Sequence, residues 1–185
     1  MSRLLPLLGL AFLAACAARS SPELPPLKRP ERVALEDFAG TWYVIANIPY
    51  FAERGRVASR VEYRPRPDGR FDDLYYSRKR SFAAPERLLR GIAWPLDPPA
   101  HTRWRSRFYW PFTFDFEVLH LDAGRGHLLL GHPSRDYAWV MARRPELSEE
   151  EFRALLSLLA AQGYDPSRLL RVPQRPEQLG QAGFQ

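Results

Sequence analysis

Four histidines, His101, His120, His127 and His132, are all the imidazoles in the chain. None stands at a metal-ligand spacing such as His-x3-His with an acidic partner, so no metal is expected. His120 and His127 can meet across the turn between adjacent strands, where a surface pair is the plain reading. There is no nucleophile elbow and no glycine loop shaped to cradle phosphate. The single cysteine, Cys16, can form no disulfide within the chain. Acid–base chemistry would need paired carboxylates inside the fold, and Asp73 and Glu117 are the best placed. The inventory therefore names no catalytic residue and no cofactor, and it leaves binding as the chemistry to look for.

The elements that would position a binding site are short runs with period two, each bounded by turn residues. They cover Trp42–Ile48, Val57–Arg64, Phe71–Arg78, Leu88–Trp94, Arg103–Phe108, Phe114–Leu121, His127–Leu130 and Asp136–Arg143. Pro67-Asp68-Gly69, Asp122-Ala123-Gly124 and His132-Pro133-Ser134 are turns between them. Alternation is clearest where Arg103, Arg105 and Arg107 oppose Trp104, Ser106 and Phe108, as a strand buried on one face requires. With Trp42 and Trp104 inward, parity gives Ala46, Tyr63, Tyr75, Trp104, Phe108, Phe116, Val118, Leu128, Leu130, Trp139 and Met141 as the candidate lining. Those residues either surround a ligand or simply fill a core. After Pro145 the period becomes helical: Ser148 with Glu151 makes a capping box, Leu147 with Phe152 a staple, and Gly163 a C-cap. Phe152, Leu155, Leu156 and Leu159 form one apolar stripe, which must pack on something. A short ninth strand is read at 168–172.

Gly40-Thr41-Trp42-Tyr43-Val44-Ile45-Ala46, then Phe51-Ala52-Glu53-Arg54-Gly55, and finally Asp136-Tyr137-Ala138-Trp139-Val140-Met141-Ala142-Arg143 resemble the lipocalin family over roughly Leu35 to Pro173. Within it the wording is similar to the bacterial outer-membrane lipoprotein lipocalins and their apolipoprotein D relatives. The resemblance implies an all-β fold, an eight-stranded antiparallel up-and-down barrel (the lipocalin calyx) with a C-terminal α-helix packed outside. It also implies that Gly40 turns the chain tightly into the first strand, that Trp42 closes the barrel floor, and that Arg143 stacks across Trp42. A third family segment is only half present, as Leu121-Asp122-Ala123. An eight-stranded barrel is wide enough for one small ligand. The implied function is to bind, carry or store a fatty acid or lysophospholipid in the cell envelope. The rivals are a lipid-modifying enzyme working in the calyx and an envelope module that docks a protein. The loop Tyr109-Trp110-Pro111-Phe112 could rim the barrel mouth, touch a membrane, make a homodimer contact or fold back onto the barrel.

The ends of the chain have a different character. Arg3, the apolar stretch Leu4–Leu13 and the small residues Ala14 and Ala15 read as a signal peptide over 1–15. The stretch is too short to cross a bilayer, which takes ~20 apolar residues. Leu13-Ala14-Ala15-Cys16 resembles a lipobox, so Cys16 is expected to be lipidated and to anchor the protein. Ala17, in place of the Asp that signals inner-membrane retention, points to the outer membrane facing the periplasm. Residues 16–32 read as a Pro- and Ser-rich tether, 33–173 as the domain, and 174–185 as a disordered tail. A net charge of +6 and a pI near 9.8 come almost wholly from Arg, since Lys28 and Lys79 are the only lysines. No nucleic-acid partner is expected of an envelope protein.

Overall fold

A computed structural model describes residues 24–185. The signal peptide, Cys16 and the first part of the tether lie outside the described residues. A four-residue helix, α1 (Leu35–Phe38), leads into β1 (Gly40–Ile48). There follow β2 (Arg56–Pro65), β3 (Phe71–Lys79), β4 (Arg87–Pro95), β5 (Arg103–Tyr109), β6 (Phe112–Asp122), β7 (His127–Gly131), β8 (Ala138–Ala142), α2 (Glu149–Ala160) and β9 (Leu170–Arg171). Neighbours in sequence pair antiparallel from β2 to β8, β8 pairs with β1, and β1 also pairs with β2. The eight strands thus close into an up-and-down barrel, with β9 added on the outside of β1.

Two apolar clusters follow from the alternation. The inner one contains Trp42, Val44, Tyr63, Phe71, Trp104, Phe116, Val118, Leu128, Leu130, Trp139 and Met141. The outer one joins Leu129, Val140 and Ala142 to Phe152, Leu155 and Leu159 of α2. This explains why β7 and β8 read as apolar on both faces: the helix stripe covers their outer side. The capping box is present, Ser148 accepting from the Glu151 amide and Glu151 accepting in return from the Ser148 amide. The helix ends with Ala161 as its cap, two residues before Gly163, whose φ of +85° lets the chain reverse.

One parity expectation fails. The β1–β8 register shifts between Val44 and Ala46, and a bulge of this kind swaps the faces of every residue beyond it. Ala46 therefore joins the outer cluster. Asn47, opposite Trp139, takes the inward position instead.

Both terminal segments are more tightly held than expected. In 16–32, Leu27 is buried, the Pro25 carbonyl accepts from Arg135 Nη2, and Lys28 exchanges two hydrogen bonds with Gln162. The expected disorder of 174–185 gives way to a fold-back along the seam between β1 and β2. Those strands pair only over Gly40–Tyr43, so their upper halves leave open edges. β9 pairs with Ala46 and Asn47, the Ala58 amide donates to the Pro173 carbonyl, and Gln174 Nε2 donates to the carbonyls of both Val44 and Ser59. The last residue, Gln185, accepts from the Gly55 amide and donates to Asn47 Oδ1. Unpaired strand edges need partners, and the tail supplies them.

Candidate functional site

The closed end of the barrel is built first. Trp42 is wholly buried, and its indole N–H donates to the Phe38 carbonyl at 2.8 Å. The Arg143 guanidinium lies 3.6 Å from the Trp42 ring centre and donates to the carbonyls of Thr41, Asp37 and Ala39. This stack draws ~1 to 2 kcal/mol from the cation–π contact, while the three bonds fix its orientation. Gly40 adopts φ +94°, and a β-carbon there would sit 3.2 Å from Arg143 Nη1. Gly126 is held more tightly still, since a β-carbon would come within 2.7 Å of Arg143 Cγ. That constraint is invisible before the barrel closes. Above the plug, Phe38 stacks on Trp104 at 4.3 Å and on Tyr63 at 4.4 Å, and Phe71 meets Trp104 edge-on.

Over this floor lies a cavity of about 660 Å³, lined among others by Val61, Tyr63, Tyr75, Leu89, Phe108, Phe114, Phe116, Leu130, Trp139 and Met141. Its size falls within the range of pockets that enclose a small ligand. Of the residues named from parity, Tyr63, Tyr75, Phe108, Phe116, Leu130, Trp139 and Met141 border it. Trp104, Val118 and Leu128 do not border it; they belong to the inner cluster, with Trp104 in the aromatic stack below the cavity. Ala46 lies outside the wall, for the reason given above. The mouth is rimmed by Phe51, Tyr109 and Phe112, all strongly exposed, with Trp110 beside them at 82% exposure. The loop over 109–112 thus stands out at the rim and does not fold back.

Polar groups enter this apolar space at a few points. Glu53, from the loop between β1 and β2, is 4% exposed and accepts from Trp139 Nε1 at 2.9 Å and from Asn47 Nδ2 at 3.0 Å. Burial pushes its carboxyl up to about 7, against the opposing pull of those bonds. Asp73 on β3 is 3% exposed and accepts from Ser106 Oγ at 2.5 Å; burial pushes it up to about 7 as well. Arg56 lines the upper wall. Its Nε donates to the Ala52 carbonyl, whereas its buried Nη1 has no partner among the described residues. Glu117, the second carboxylate considered for acid–base chemistry, faces outward toward Arg29 and Arg103, so it does not meet Asp73.

Sequence reasoning missed Glu53, Asn47 and Arg56. Glu53 lies in a loop, where no period assigns a face, and Asn47 turns inward only because of the bulge. Among the described residues, no group of three or more His, Cys, Asp or Glu side chains is placed to hold a metal.

A Lipocalin-like domain matches residues 33–174. The chain is 32% identical over 152 residues to Temperature-induced lipocalin-1 of Arabidopsis thaliana, covering 76% of this chain and 78% of that one. It is 29% identical over 178 residues to the Outer membrane lipoprotein Blc of Escherichia coli K12, covering 93% and 98%. Among solved structures, insecticyanin from the tobacco hornworm Manduca sexta superposes with a TM-score of 0.66 at 16% identity, covering 85% and 89%. Lobster apocrustacyanin A1 superposes at 0.61 and 14% identity, covering 77% and 80%. Lipocalins as a family bind small hydrophobic ligands, and the match across the barrel, the Trp42–Arg143 plug and the cavity above it make this chain a member of the lipocalin family, similar to the Blc lipoproteins.

Proposed function

We propose that this lipocalin holds the acyl chain of a fatty acid or lysophospholipid in its calyx, in a cell envelope to which Cys16 anchors it. The observation that carries the reading is the apolar cavity of about 660 Å³ above a sealed aromatic floor. Burying ~14 methylenes at ~0.8 kcal/mol each gives a gross gain of ~11 kcal/mol. Ordering the chain takes back several kcal/mol, which leaves an affinity in the micromolar to nanomolar range. The unpaired Nη1 of Arg56 supports an anionic head group near the mouth, because a buried guanidinium N–H without an acceptor is costly. The exposed aromatic rim supports loading from a lipid surface, where rings of this kind settle.

Titrating residues 24–185 with hexadecanoate or a lysophospholipid should shift or quench indole emission saturably, since Trp139 borders the cavity. Trp139→Arg should abolish binding by placing a charge in the cavity, and Trp110→Ser should leave it largely intact. A flat titration, or an unchanged affinity in the Trp139 variant, removes this site from consideration and favours a protein-docking role for the rim.

A further inference from the structure

The two buried carboxyls of the calyx are used differently. Glu53 is satisfied by the protein, with one oxygen on Trp139 and the other on Asn47. Asp73 is not. Its Oδ2 is held by Ser106, while Oδ1 has no protein partner among the described residues and the residue borders the cavity. Asp73 sits two positions above Phe71 on β3, at the level where the aromatic floor begins. Its neighbours across the pairs are Tyr63 on β2 and Gly91 on β4. Gly91 contributes no side chain, which leaves Asp73 open to Ser106, one strand further on. A β-carbon at Gly91 would lie 2.7 Å from Phe108, so the glycine also lets the Phe108 ring close over that part of the wall. Tyr63, paired with Asp73 across β2 and β3, also borders the cavity, and burial first, then the charge of Asp73, raises the proton affinity of its phenol.

A purely acyl-filled calyx has no use for this arrangement, because a carboxyl facing methylenes is a standing cost. We propose that Asp73, Ser106 and Tyr63 form a polar subsite at the floor of the calyx that receives a hydroxyl on the buried end of the ligand. A hydroxyl suits the site in either protonation state, donating to the carboxylate or accepting from the acid. Tyr50, which follows β1 and borders the same cavity, has its phenol held protonated chiefly by burial, with the charges of Glu53 and Asp73 adding to it. The inference rests on the calyx being the ligand site. It changes the ligand class from a plain chain to one oxygenated at its far end.

The test compares dodecanoate and hexadecanoate with their ω-hydroxy forms on the described domain, by displacement of a fluorescent acyl probe. An apolar floor would weaken the hydroxylated chain by roughly tenfold or more, the cost of burying an unpaired hydroxyl. The polar floor predicts that at least one hydroxylated chain binds as tightly as its plain counterpart or more tightly. Asp73→Leu should then shift the preference toward the plain chain by about tenfold, and Ser106→Ala should shift it by less. The wild-type ratio stands even if a variant fails to fold. A wild-type preference of tenfold or more for both plain chains, or an unchanged ratio in a folded Asp73→Leu domain, overturns the inference alone. Absence of saturable binding by any of the four chains overturns the calyx reading and this inference with it.

Discussion

Trp42 and Arg143 are a hundred residues apart in the chain and 3.6 Å apart in the fold, and their coupling is measurable. Trp42→Ala removes a fully buried indole, an expected loss of ~3 to 5 kcal/mol. Arg143→Ala should cost less, because the guanidinium is partly in solvent. In a double-mutant cycle by urea denaturation, the pair should lose less than the sum of the single variants. Additive losses would mean that the stack contributes nothing. Glu53 and Asp73 set a pH dependence of definite sign. In the folded chain both keep their proton up to about 7, whereas unfolded carboxyls release it near 4. The folded state therefore binds more protons between these values, so stability is full below about pH 4, falls as pH rises toward 7, and levels off above. The scale is on the order of 3 kcal/mol for Glu53, and Glu53→Gln should remove its share of the slope between about pH 4 and pH 7. An unaltered slope in that variant would place the titration elsewhere.

Among the elements, the seam between β1 and β2 is where the barrel depends on something other than its own strands. Gln174 bridges the carbonyls of Val44 and Ser59 across it, while Gln178 takes up the amides of Gln174 and Arg175. Gln174→Ala should cost ~1 to 3 kcal/mol, because it leaves two strand carbonyls without their donor. Hydrogen exchange should show the amides around Ser59 and Gly55 opening faster, since Gln185 also holds Gly55. Unchanged exchange there would show that water replaces the tail without loss. The seam borders the wall of Val61 and the loop carrying Glu53, so loosening it would reach the cavity before it reached the helix.

For the molecule as a whole, the proposed anchoring rests on Cys16 and the proposed binding on a barrel built from a separate part of the chain. If Cys16 carries the acyl groups, more than one chain contributes ~0.8 kcal/mol per methylene, enough for stable attachment. Cys16→Ser should then release the protein to the soluble fraction. The +6 charge could hold the variant to anionic lipid by itself, so the fractionation is done after a high-salt wash, which screens that attraction. Protein that still sediments with membrane would overturn the acylation of Cys16. The region from Pro25 onward is pinned against Arg135 and Gln162, so that part of the segment is held to the barrel domain.

What was legible beforehand was whatever depends on local period or on a short motif. Eight strands, the covering helix with its capping box, and the Gly40, Trp42 and Arg143 plug all appear where alternation, capping residues and the family wording place them. Inward and outward faces were also legible along stretches that run without a bulge, as for Tyr75 on β3 and Trp104 on β5. Only the closed barrel decided the rest. Parity counts residues and cannot see the extra one inserted between Val44 and Ala46, so Ala46 left the wall and Asn47 entered it. The tail from Gln174 has no period of its own and is ordered by strand edges that exist only after closure. The burial that raises Glu53 and Asp73, and the depth that separates a lining residue from the packed floor under it, belong to the assembled barrel, because desolvation is a property of surroundings rather than of residue type.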